Sequence, residues 1–146
     1  LNQYFIVRIS WVFGINGNNF SKTMLRLGKE RSEINVVADQ IGSPNYTADL
    51  APLLCNLAAT DKYGTYHATN SGTCSWAEFA EEIFRLAGIN CQVKRIATAE
   101  YPTKAVRPQN SRMSKKSLEA AGFPCLPLWQ EAVARYLKEM GINDNA

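Results

Sequence analysis

No C-x-x-C pair joins any of the four cysteines, Cys55, Cys74, Cys91 and Cys125, which excludes metal knuckles and thioredoxin-type redox chemistry. Reduced, mostly buried thiols are expected instead. A single histidine, His67, leaves nothing to build a His-based triad or a multi-histidine metal site, and its place in an apolar stretch reads as a hydrogen-bonded structural residue. The sequence has no G-x-G-x-x-G. Gly14 and Gly17 stand at G-x-x-G spacing after a strand-like run, but without the third glycine they do not grip a dinucleotide phosphate. No apolar stretch approaches the ~20 residues of a membrane helix and no basic-then-apolar leader opens the sequence, so a cytoplasmic chain with no membrane partner is expected. Charge of one sign is scarce as well. The net +3 comes from dispersed Lys and Arg, which argues against nucleic acid and suits a small phosphorylated substrate. No two carboxylates are placed for acid/base work, and Glu78, Glu81 and Glu82 read as a solvated helix surface.

What is present is the makeup of an ordinary globular domain: 146 residues, 46% hydrophobic and 20% charged, enough for one real core. Almost at once the chain enters an apolar run rich in β-formers, residues 4–13. Lacking in/out alternation, it reads as a strand buried on both faces, as inside a parallel sheet. Only the stretches around Ile34 to Ala38 and Tyr63 to Thr69 are comparable, too few to complete such a sheet, so a missing partner upstream is expected.

Asn19 is positioned to cap a helix from Phe20 to Leu27, stopped at Gly28. A strand near Ile34 to Ala38 leads to the loop Asp39 to Asn45, and Leu50, Leu53, Leu54, Leu57 and Ala58 then follow at helical spacing. Taking Asp49 as that helix's cap places Pro52 in the first turn. Gly64 to Thr69 reads as a second core strand. Ser75 and Glu78 form a capping box for a helix with Trp76, Phe79, Ala80, Ile83, Phe84 and Ala87 on one face and Gly88 as its stop. A strand over Gln92 to Ala97 and helices over Ser114 to Ala121 and Pro127 to Met140 complete the reading.

Two places invite a ligand. Trp11, near the end of the first strand and ahead of the turn-rich Gly14 to Asn19 loop, either stacks on a ligand ring or fills the core. The loop Tyr101 to Arg112, with two arginines and two prolines, either offers guanidinium donors to a diphosphate or caps the next helix.

At these residues the sequence becomes recognisable. The segments R-I-S-W-V-F-G (8–14), G-N-N-F (17–20), D-Q-I-G-S-P (39–44) with T-A-D-L-A (47–51), G-T-Y-H-A-T-N (64–70), S-W-A-E-F-A (75–80) and R-P-Q-N-S-R (107–112) occur in order. Together they closely resemble the carboxy-terminal half of the dTDP-4-dehydrorhamnose reductase family, extended short-chain dehydrogenases/reductases. The resemblance implies an α/β fold: the carboxy-terminal part of an NAD(P)-binding Rossmann-like fold, with its last core strands and the smaller substrate-binding domain. It implies that strands near 4–13 and 64–69 are interleaved with substrate-binding segments 14–48 and 70–146, the amino-terminal dinucleotide-binding half being absent. It further implies reduction of the 4-keto group of dTDP-6-deoxy-L-lyxo-4-hexulose to dTDP-L-rhamnose with NADPH or NADH, for bacterial surface polysaccharides.

The family's proton donor belongs to a Y-x-x-x-K motif, and no tyrosine here has a lysine four positions on. The chain by itself is therefore expected to hold no catalytic, cofactor-binding or metal-binding residue and to be inactive alone. By position, Trp11 resembles the residue that packs on the deoxysugar, and Arg107 an arginine aimed at the diphosphate. Asn19, Phe20, Gln40 and Asn110 fall in substrate-side segments, and Asn45 stands at a loop tip where the family more often has threonine. A homodimer is left open, and two alternatives stand beside this reading: a non-catalytic binding or regulatory relative on the same scaffold, and a sugar-nucleotide epimerase or dehydratase of the superfamily.

Overall fold

The computed structural model describes residues 2–142; the last four positions of the expected segment 70–146 lie outside them. In chain order the elements are β1 (Phe5–Arg8), β2 (Val12–Phe13), α1 (Phe20–Glu30), β3 (Glu33–Val37), β4 (Ile41–Gly42), β5 (Asn45–Tyr46), α2 (Thr47–Ala58), β6 (Gly64–His67), β7 (Cys74–Ser75), α3 (Trp76–Ala87), β8 (Gln92–Ile96), α4 (Lys116–Ala120) and α5 (Trp129–Glu139), with a 3-10 turn over Thr98–Glu100. The described strands pair only in twos. β1 runs parallel to β6, β2 to β5 and β3 to β8, whereas β4 and β7 are antiparallel.

The 4–13 run is not one strand buried on both faces. It breaks at Ser10-Trp11, and β1 alternates between half-buried and exposed positions, with Ile6 50% exposed. Trp11 takes a left-handed φ of 45°, which redirects the chain so that β2 pairs with β5 instead of prolonging the β1·β6 ladder. One edge of β1 therefore has no strand partner among the described residues, and Tyr4, Ile6, Ile9 and Val12 stand exposed around it. An open apolar edge is a template for another strand. Sedimentation of the chain is expected to be concentration-dependent, with fast amide exchange along β1, and Ile6→Lys is expected to restore the monomer. A monomeric parent chain with slow exchange throughout β1 would contradict this.

Several boundaries are set by packing that local sequence does not reveal. α1 begins as expected, the Asn19 side chain accepting from the Lys22 amide at 3.0 Å, but it runs through Gly28 to Glu30. Gly28 is a helix-crossing position: a Cβ there would lie 2.5 Å from a ring carbon of Phe84 on α3. α2 starts at Thr47, directly after β5, because pairing with Phe13 holds Tyr46 extended. Asp49 thus lies inside the first turn, where a carboxylate favours the helix dipole, and Pro52 falls in the second turn on the exposed side. α4 is shorter than expected, and α5 starts at Trp129 because Pro127 and Leu128 are taken up in a bridge to Ser71.

The Ser75/Glu78 capping box and the left-handed Gly88 stop of α3 are both present. Glu81 and Glu82 on that helix hold Arg95 and Arg85 in surface ion pairs. Of the cysteines only Cys74 is buried; Cys91 is half-buried, and Cys55 and Cys125 are exposed on helix and loop surfaces, contrary to the expectation of mostly buried thiols. His67 is half-buried at the end of β6, with Nδ1 3.1 Å from the Ser114 carbonyl oxygen. Asn45 is no loop tip: it lies in β5, fully buried, and its amide donates to the Ala68 carbonyl at 3.0 Å.

Two cores result. The larger gathers Phe13, Tyr46, Phe79, Trp129 and Tyr136 between α1, α3 and α5, and the smaller gathers Leu50, Leu53, Leu57, Tyr66, Ala68 and Leu118 on the β6 side.

Candidate functional site

A cleft of about 820 Å³ opens between α1, β3 and the loop that follows β8. It brings together four of the six candidate residues: Trp11, Phe20, Gln40 and Arg107. Asn19 and Asn110 lie outside its lining. The Asn19 carboxamide is engaged at both ends, accepting from Lys22 and donating to the Gly14 carbonyl at 2.8 Å. Asn110 accepts from the Arg112 backbone and guanidinium, both at 3.1 Å, and bridges to Ile41.

One end of the cleft is aromatic. Trp11 and Trp76 stack with centroids 3.7 Å apart and planes 16° from parallel, and Phe20 tilts against Trp76 at 4.7 Å. The Trp11 indole also lies against Gly42, where a Cβ would come within 2.7 Å of it; only glycine lets the backbone approach that closely. Trp11 is half-buried, so its ring is partly packed and partly open to the cleft. Its left-handed backbone is the one non-glycine instance among the described residues, the kind of local strain that collects at binding sites.

Trp76 is the residue that helical periodicity missed, because its spacing placed it on the buried stripe of α3. It occupies the first position of that helix and faces the cleft, and its place in the S-W-A-E-F-A segment was the available signal.

The floor is polar. Gln40 sits between the Trp76 indole and Thr98, and Asp39 accepts from the Thr98 hydroxyl at 2.5 Å and from its amide at 2.9 and 3.0 Å. The Thr98 hydroxyl and then its amide hold the Asp39 carboxyl below the usual carboxylate value. The exposed Tyr101 to Arg107 loop also lines the cleft, tied down where Ile41 donates to the Gln109 carbonyl and Ser111 to the Ile41 carbonyl, each at 2.8 Å. Arg107 lines the cleft, and its guanidinium makes no hydrogen bond or ion pair among the described residues. No group of three or more acidic, histidine or cysteine side chains able to hold a metal occurs among them, and no helix is long and apolar enough to cross a membrane.

Parallel strand pairs flanked by helices, with a ring-lined cleft beside them, define the substrate-side part of a Rossmann-like, extended short-chain dehydrogenase/reductase fold. The chain belongs to the family described as RmlD substrate binding domain, which matches residues 1–142. It is 45% identical over 141 residues to dTDP-4-dehydrorhamnose reductase of Aggregatibacter actinomycetemcomitans, covering 88% of this chain and 48% of that protein. It is 44% identical over 134 residues to the spore coat polysaccharide biosynthesis protein SpsK of Bacillus subtilis, covering 92% and 47%. The crystal structure of dTDP-4-dehydrorhamnose reductase from Bacillus anthracis in complex with NADP superposes with a TM-score of 0.89 at 50% identity, over 94% of this chain and 48% of that one. The chain thus spans about half the length of the relatives it matches.

Proposed function

We propose that the cleft is the sugar-nucleotide site of a dTDP-4-dehydrorhamnose reductase, with the deoxysugar against Trp11 and Phe20 and the diphosphate at Arg107. The observation that carries this is the lining of the cleft, which combines clustered rings with an exposed Arg107 guanidinium that has no acceptor among the described residues. Rings suit the apolar face of a deoxysugar, and a guanidinium fork suits phosphate oxygens. Asn19 and Asn110 serve the site from behind, Asn19 by setting the start of the helix that carries Phe20, and Asn110 by fixing the loop beyond Arg107.

In the whole reductase the reaction is reduction of the 4-keto group of dTDP-6-deoxy-L-lyxo-4-hexulose to dTDP-L-rhamnose, with NADPH or NADH as reductant. The residues here do not fit that cofactor. The start of α1, the one helix that follows the Gly14 to Gly17 loop, is closed by Asn19, and Lys22 is turned back onto the Ile15 and Gly17 carbonyls. The contribution of this chain is to bind and orient the sugar nucleotide. The division into strands near 4–13 and 64–69 and substrate segments 14–48 and 70–146 is part of the same proposal, although Phe13 joins the larger core and Leu118 the smaller one across those bounds. So are a cytoplasmic setting and a homodimer.

Calorimetric titration of the chain with dTDP-L-rhamnose tests the reading. Arg107→Ala is expected to weaken binding by roughly ten- to a hundredfold, the worth of one charge-assisted contact, and to flatten its salt dependence. Equal affinity in the variant rejects the diphosphate assignment, and no binding by the parent chain rejects the site.

A further inference from the structure

We infer that Gln40 and Trp76 are positioning residues of the cleft: the Gln40 carboxamide, clamped between Thr98 and the Trp76 indole, sets the ring on which Trp11 rests. This rests on the ligand reading above and refines it, because it moves Gln40 from the ligand to the support behind Trp11.

The chemistry of the groups fixes the direction of every bond. An indole N–H only donates, so the Gln40 atom 3.2 Å from Trp76 Nε1 is the oxygen, and the amide nitrogen faces Thr98 Oγ1, also at 3.2 Å. Ionised Asp39 only accepts, so the Thr98 hydroxyl spends its proton there at 2.5 Å and is left to accept from Gln40. The outcome is a single ordered chain, Trp76 to Gln40 to Thr98 to Asp39, with no ambiguity about which way the carboxamide points. Gln40 is 9% exposed, and with its oxygen and one of its two N–H groups engaged within the chain its carboxamide is held in one orientation.

Trp76 stands at the first position of α3, where no preceding helical turn restrains its ring; the bond to Gln40 selects one orientation. In that orientation the indole lies nearly parallel to Trp11 at 3.7 Å, and the Trp11 indole is also in close contact with Gly42. Thr98 stands two residues past the end of β8 and opens the segment that leads to Arg107, so the same clamp ties the aromatic cluster of the cleft to the arm carrying the guanidinium.

Two stacked indoles give an exciton couplet in far-ultraviolet circular dichroism, a reporter that needs no ligand. The test compares the parent chain with Gln40→Leu, which removes both bonds, and with Thr98→Val, which cuts the link between Gln40 and Asp39 while keeping side-chain shape. Gln40→Leu is expected to lose most of the couplet and to bind dTDP-L-rhamnose roughly five- to tenfold more weakly, the effect of about one hydrogen bond. Thr98→Val is expected to move both readouts in the same direction by less. If both variants are folded by thermal melt and the couplet is unchanged, the inference is overturned. It is also overturned if Gln40→Leu binds more weakly with its couplet intact, since Gln40 then touches the ligand itself. Should Gln40→Leu not fold, Thr98→Val decides alone. Loss of the couplet in a chain that binds no dTDP-L-rhamnose supports the positioning role and rejects the ligand reading instead.

Discussion

Replacing Asn70 with alanine is expected to destabilise the chain by about 3–5 kcal/mol, because it strands several buried polar groups at once. Asn70 is fully buried between β6 and β7. Its oxygen accepts from the Tyr46 amide at 2.8 Å, and its nitrogen donates to Asp49 at 2.7 Å and to the Pro127 carbonyl at 3.0 Å. One side chain thus joins β5, the first turn of α2 and the entry to α5. Asp49 also receives Arg135 of α5 at 2.7 Å, and Tyr46 donates to Glu139 on the same helix. Burial first, and then the Glu139 contact, push the Tyr46 hydroxyl above its ordinary range, so it stays a neutral donor. Urea unfolding measures the loss. A surface control, Arg26→Ala, breaks an exposed pair with Glu30 and is expected to cost no more than about 0.5 kcal/mol. An Asn70→Ala loss no larger than the control's would mean that water takes over these bonds and α5 is held by its apolar face alone.

Trp11→Ala is expected to lower affinity for dTDP-L-rhamnose by roughly thirty- to a hundredfold, with a smaller loss of fold stability. The variant removes the ring that the sugar is proposed to meet and unpairs Trp76 as well. Trp11 packs only on the outside of the Phe13, Tyr46 and Tyr136 core and is not one of its buried members. In a whole reductase the misplaced sugar also lowers the catalytic constant, since hydride transfer is sensitive to shifts of about 1 Å. Titration calorimetry alongside thermal melts separates the effects. Were affinity to fall only as far as the folded fraction does, Trp11 would be scaffolding and not a ligand surface.

What could be read from the sequence was what neighbouring residues decide among themselves. Ser75, Glu78 and Gly88 delimit α3 through contacts within a turn, and the Asn19 cap works the same way. Gly28 misled because its reason lies on another helix: glycine there answers the ring of Phe84, not the end of α1. The 4–13 run misled for a related cause. Its composition is that of a continuous strand, whereas its kink is imposed by Trp11 finding Gly42 and Trp76 from distant segments. The cleft shows the same division. Trp11 and Arg107 were visible as single residues near turn-rich loops, but Trp76 was not, because its spacing along α3 is that of a core residue. Its role depends on standing at the first position, beside Gln40. Asn45 was misplaced because partners 23 residues away, at Ala68, bury it.

The strand pairing has a consequence for the order of assembly. Phe5 meets Gly64 and Glu33 meets Gln92, so each long parallel ladder must wait for two helices and their flanking loops to emerge before its second strand exists. Closing such loops costs entropy before any contact returns it. The core around Phe13 waits longer still, because Trp129, Val133 and Tyr136 arrive on the last helix. During vectorial synthesis on the ribosome Phe13 and Tyr46 therefore lack their α5 partners until that helix is released, whereas the core on the β6 side needs nothing from it.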